Sequence, residues 1–78
     1  MDIKILGTGC PKCQRLEQLT RDAAAELGIR AEFDHVREMA EIMKFPVVGT
    51  PALVIDGVVK VAGRMPGRDE LKAWLSGG

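Results

Sequence analysis

The stretch Gly7-Thr8-Gly9-Cys10-Pro11-Lys12-Cys13 joins an apolar alternation, Ile3, Ile5 and Leu6, to a run of helical spacing that begins near Pro11. It holds both cysteines of the 78-residue chain, three positions apart. A glycine-containing turn between a strand and a helix lets the backbone reverse, and Pro11 suits the first helical position because its missing N–H has no partner there anyway. Cys10 is then expected at a helix N-terminus, where unpaired backbone donors and the helix dipole favour a thiolate. Residues three apart on a helix lie about 5–6 Å from each other, inside the roughly 4.4–6.8 Å Cα separation that a disulfide tolerates. The two sulfurs are therefore expected to bond reversibly without unfolding the chain.

Length and composition set the frame for that pair. At 78 residues the chain is expected to form one domain, residues 1–78, near the lower size at which a single apolar core suffices. Eleven basic residues balance eleven acidic ones, so no overall field draws it toward nucleic acid or an anionic membrane surface. Neither a basic, apolar leader nor a long apolar segment is visible, and the expected compartment is the cytoplasm. There structural disulfides are rare, so two closely spaced cysteines point to redox chemistry or metal binding.

The rest of the chain alternates between the two regular periods. Asp2 to Leu6 reads as a strand, with Ile3 and Ile5 on one face and Lys4 and Leu6 on the other. Leu16, Leu19, Ala23 and Leu27 recur at helical spacing up to a stop at Gly28. Ile29 to Val36 predicts a second strand. Met39, Ala40, Ile42 and Met43 predict the buried face of a short helix that Pro46 ends. Ala52 to Ile55 and Val58 to Val61 are strand runs linked by Asp56-Gly57, the pair a type I′ hairpin turn demands. A last helix starts at Pro66 or Gly67 and turns Leu71, Trp74 and Leu75 toward the core. The predicted order is βαβαββα, with a parallel crossover between the first two strands and an antiparallel hairpin.

A Cys-x-x-Cys between first strand and first helix, Thr50-Pro51 before the third strand, the Asp56-Gly57 hairpin and a closing helix occur together. In this combination the chain resembles the thioredoxin fold in its minimal form. It is more closely similar to the small thioredoxin-like or glutaredoxin-like redox-active disulfide proteins of prokaryotes. The likeness is carried by residues 7–13, Glu41-Ile42-Met43-Lys44 and residues 50–57, and it covers essentially the whole chain. It implies an α/β fold with a four-stranded mixed sheet and helices on both faces. It also implies a thiol–disulfide oxidoreductase in which Cys10 attacks and Cys13 resolves. Pro51 would be a cis proline beside the pair, Thr50 would offer its backbone to an extended substrate peptide, and Gly49 and Gly63 would border the groove. The Cys10-Cys13 disulfide would be the redox group, with no bound cofactor. Partners would be disulfide-containing proteins and, as electron donor, a flavoprotein of the thioredoxin reductase type. Two departures stand out. Larger thioredoxins carry a buried Asp six residues before the first cysteine, where this chain has Lys4, and their Trp before the motif is Gly9 here. Glutaredoxin-type glutathione recognition also lacks its usual residues around Thr50 and Gly63.

Other residue types carry a functional and a plain reading side by side. A strand–helix Cys-x-x-Cys also suits a soft metal ion, as in small metallochaperones, but those run βαββαβ and lack a Thr-Pro element. His35, the single histidine, reads as structural or solvated rather than as a base. Lys12 reads either as a solvated lysine or as a cation that favours the Cys10 thiolate. The second reading predicts that Lys12→Glu raises the Cys10 pKa in a thiolate absorbance titration, and an unchanged titration removes Lys12 from the chemistry.

Overall fold

A computed structural model describes residues 1–9 and 11–77. The elements run β1 (Asp2–Leu6), α1 (Pro11–Glu26), β2 (Glu32–Val36), α2 (Met39–Ile42), β3 (Ala52–Ile55), β4 (Val58–Ala62) and α3 (Arg68–Leu75). The sheet order is β2-β1-β3-β4, with β1 and β2 parallel and the two other pairings antiparallel. This is the mixed sheet that the resemblance implies.

Strand alternation divides the core into two layers. Ile3, Ile5, Leu53 and Ile55 project toward α1 and α3, where they meet Leu16, Ala23, Leu71 and Leu75. Leu6, Ala52 and Val54 project to the other face and meet Ile42 of α2. Each such fully buried aliphatic side chain contributes about 1.5–3 kcal/mol relative to exposure. The hairpin between β3 and β4 turns at Asp56 and Gly57, with φ of +48° and +83°, as a type I′ turn requires.

Three expectations are corrected. β2 begins at Glu32, not Ile29, because the Ile29 N–H donates to the Ala24 carbonyl at 2.9 Å and closes α1 through a left-handed Gly28. Ile29 and Ala31 still pack on the core from outside the strand. Met39 and Met43 are not core residues: they are 53% and 75% exposed. α2 is a single turn of four residues, and only Ile42 reaches the sheet. Leu27 lies past the end of α1 and is exposed, whereas Trp74, half-buried, packs against the larger core layer as expected.

Ion pairs tie the helices to the sheet and to each other. His35 Nδ1 lies 2.6 Å from Glu17 Oε1, joining β2 to α1, and Arg21 stacks 4.4 Å over the Phe33 ring. Burial opposes charge on Glu17, but hydrogen bonds from His35 and Arg21 outweigh it and lower the carboxyl pKa. Glu70 takes a two-point contact from Arg64 at 3.1 and 2.8 Å and accepts the Gly67 N–H at 2.9 Å. The Arg64 guanidinium, then that N–H, hold Glu70 down at about 2.

Both carboxyls titrate lower folded than unfolded, so their contribution is present above pH ~4.5 and is lost as pH falls through the folded values. Melting temperature is therefore expected to decline from about pH 5 toward pH 2. Glu70→Gln should flatten that decline modestly, because the pair is exposed and screened.

Candidate active site

The turn that follows β1 brings the redox motif against the strand end. Gly7 continues β1, its N–H donating to the Val36 carbonyl at 2.9 Å. Cys13, on the first turn of α1, is fully buried with its sulfur packed on Gly7. A Cβ at Gly7 would overlap that sulfur, so only glycine lets the strand and the thiol approach this closely. Gly9 has φ of +95°, and its carbonyl accepts a bond from Gln14 Nε2 at 3.3 Å, tying the turn to the helix it precedes. Pro11 is the first helical residue, as its missing N–H predicts, and it is exposed together with Lys12. Cys10 lies outside the described residues, and so do its expected place at the helix N-terminus and its pairing with Cys13.

The proline loop arrives from the opposite strand. The antiparallel register pairs Leu6 with Ala52, and one further step carries Pro51 opposite Gly7. The Thr50-Pro51 peptide is cis, and Pro51 is buried while Thr50 is exposed. The Pro51 carbonyl accepts the Gly63 N–H at 2.9 Å, and a Cβ on Gly49 would stand 3.6 Å from the Gly63 Cα. Gly49, Thr50, Pro51 and Gly63 thus form one rim, at the same end of the sheet as Gly7 and the Cys13 sulfur.

Several features escaped the sequence reading. Beside Thr50 and Gly49 lies an open cavity of about 330 Å³, walled by Met39, Ile42, Met43 and Val48. Met43 and Val48 are 75% and 96% exposed, so the apolar side chains displaced from the core gather next to the proline loop. The signal available was their position between α2 and Thr50-Pro51, which helical periodicity alone reads as packing. Lys4, at the place of the buried Asp of larger relatives, does not face the thiol: it lies on the α2 side of β1 and pairs with Asp2 at 2.9 Å. That hydrogen bond, with smaller help from the Asp2 and Asp34 charges, outweighs burial and raises the Lys4 pKa. Arg37, which the sequence reading left unassigned, reaches over Gly9. Among the described residues no helix is long and apolar enough to cross a membrane.

The geometry matches what related sequences indicate. A sequence model described as a thioredoxin domain matches residues 1–76. A thioredoxin of Methanothermobacter thermautotrophicus is 45% identical over 76 residues, covering 97% of this chain and 99% of that protein. A thioredoxin of Methanocaldococcus jannaschii is 39% identical over 79 residues, covering 96% and 91%. Both cysteines, the cis proline and the closing helix fall within the matched residues, and the chain belongs to the thioredoxin family of thiol–disulfide oxidoreductases.

Proposed function

We propose that the protein reduces disulfides of partner proteins, with Cys10 as the attacking thiol and Cys13 as the resolving thiol. The Cys10 thiolate attacks one sulfur of the partner cystine, and the partner S–S bond breaks as a mixed disulfide forms. The Cys13 thiolate then attacks Cys10, closes the Cys10-Cys13 bond and releases the second partner thiolate. Two electrons pass to the partner, whose two sulfurs take up protons. The cysteine pair carries both electrons, so the exchange needs no bound cofactor. A flavoprotein of the thioredoxin reductase type would return the pair to its dithiol form, in the cytoplasm.

The observation that carries this reading is the meeting of the Cys13 sulfur with Gly7 at the strand end that faces cis-Pro51 across the register. Exposed Thr50 offers backbone groups to an extended substrate segment, as in strand addition, and Gly49 and Gly63 leave room for it. The neighbouring apolar cavity supplies adaptable thioether surface for a substrate side chain.

Magnitudes show where the benefit lies. A thiol of pKa ~8.5 is about 3% thiolate at pH 7, and a pKa about two units lower raises that roughly 25-fold. Nucleophilicity falls by about 6- to 10-fold over the same change, so attack gains only a few-fold. Thiolate stabilisation therefore acts mainly on leaving-group ability and redox poise, and docking beside Pro51 supplies orientation.

A redox titration of the pair, followed by Trp74 fluorescence or thiol trapping, should give one two-electron transition. Cys10→Ser should abolish reduction of a protein disulfide, and Cys13→Ser should accumulate a mixed disulfide with it. Failure of the reduced wild type to pass electrons to any disulfide acceptor would overturn the proposal. Gly7→Ala should displace the Cys13 sulfur and cost about 1–3 kcal/mol in urea unfolding. It should also slow release of the mixed disulfide, and wild-type stability and release would disprove the close-approach role.

A further inference from the structure

The first turn of a helix is the positive end of its dipole, where acidic side chains are favoured. α3 follows that rule, with Asp69 and Glu70 in its first turn. α1 does the opposite: residues 7–16 contain no acid, and Lys12 lies in the first turn with Arg15 in the next. Both are exposed. Lys4, Arg21, Lys44, Arg64, Arg68 and Lys72 each lie beside a carboxylate, but among the described residues Lys12 and Arg15 lie beside none. Glu17, the first acid of α1, is bonded to His35 and Arg21. Two cations without a carboxylate thus stand where the helix itself disfavours them.

These cations open onto a groove. Pro11, Lys12 and Arg15 line an open cavity of about 420 Å³. Arg15 also lines a second, of about 380 Å³, between α1 and the turn after β4. Leu19, Met65 and Pro66 make one part of that second cavity apolar, and Leu19 and Met65 pack against the larger core layer. The turn that carries Met65 and Pro66 is braced, because Glu70 holds Arg64 at its start and accepts the Gly67 N–H at its end. Two residues before Met65, the Gly63 N–H donates to the Pro51 carbonyl at 2.9 Å. The groove therefore leads away from the rim of the proline loop.

We propose that this groove docks a segment of the partner protein that carries acidic residues close to its cystine. Its carboxylates pair with Lys12 and Arg15, and an apolar side chain packs on Leu19, Met65 and Pro66. An incoming carboxylate supplies the anion that the start of α1 lacks, whereas a lysine-bearing segment meets two like charges. The other charges around the groove leave this preference in place. Arg64 is held by Glu70, Arg68 lies 3.9 Å from Glu26, and Asp69 is exposed on α3. Asp22 accepts a hydrogen bond from Gln18 at 2.9 Å and lies seven residues beyond Arg15. At a rise of 1.5 Å per residue that is about 10 Å, roughly one Debye length at 0.1 M salt.

The inference rests on the reduction of partner disulfides proposed above, but docking itself is testable without turnover. Peptides with serine in place of cysteine, flanked by Asp-Asp or by Lys-Lys and followed by leucine, are titrated into the protein at low salt and followed by amide NMR shifts. The acidic peptide should move the amides of Lys12, Arg15, Leu19 and Met65, and the lysine peptide should leave them in place. Arg15→Glu should abolish these shifts and Arg15→Lys should retain them, with far-UV circular dichroism establishing that each variant is folded. At 1 M salt, where the Debye length is about 3 Å, the shifts should vanish. An exposed charge pair about 7 Å apart changes association roughly 2- to 3-fold in water. With two such pairs, a disulfide peptide with acidic flanks should be reduced about 4- to 8-fold faster than one with neutral flanks at low salt. Taking that ratio cancels any change in the reactivity of the thiols themselves. Shifts that fall on Met39, Met43 and Val48 instead, no shifts with the acidic peptide, or a rate ratio of one would overturn the inference. Shifts and Arg15 dependence as stated, with no reduction of any peptide disulfide, would instead refute the proposed function alone.

Discussion

A buried sulfur packed on a strand terminus fixes the geometry of everything around it. The Cys13 side chain occupies the volume that a Cβ on Gly7 would need, so α1 is pressed against β1 at the point where the strand ends. Because β1 is paired on both edges, that strand end cannot shift without breaking ladders to β2 and β3. The thiol is thus referenced to one of the two central strands of the sheet. The proline loop is referenced to the same strand through the Leu6–Ala52 pairing, so the two halves of the site share one rigid support. Sites built on such supports hold their geometry better than sites on loops alone.

The two faces of the sheet do different work. The α1/α3 layer is large and closed, and carries most of the buried aliphatic surface. The α2 layer is thin, with Ile42 as the buried anchor of a four-residue helix. Its thinness leaves Met39 and Met43 without a covering layer, and they line the cavity beside Thr50. These apolar side chains become surface next to the proline loop. Economy of length and availability of docking surface have the same cause.

Local chemistry made much of this legible. Asp56-Gly57 is readable because only residues tolerant of positive φ suit a type I′ turn, and the alternation of Ile3 and Ile5 against Leu6 assigned the faces of β1 correctly. The cis form of Thr50-Pro51 was legible only through the family likeness, since nothing local to that dipeptide demands it. What failed was long-range or short-period. Four residues of helix do not hold enough turns to define a buried face, so Met39 and Met43 fitted the pattern and not the structure. The Glu17–His35 pair links positions eighteen apart, and the Arg37 approach to Gly9 spans a strand and a helix; no periodicity encodes either.

Replacing the buried acid of larger thioredoxins by Lys4 changes where polar help can come from. Lys4 is committed to Asp2 on the α2 side, away from α1, so it cannot accept a proton from a thiol on the α1 side. The polar group that β2 places on the α1 face is His35, whose Nδ1 is bound to Glu17, one helical turn beyond Cys13. Its Nε2 is buried and, among the described residues, has no hydrogen-bond partner. With Glu17 ionised, that bond places a ring proton on Nδ1. His35 is thus held on the α1 face of β2 by a carboxylate of α1.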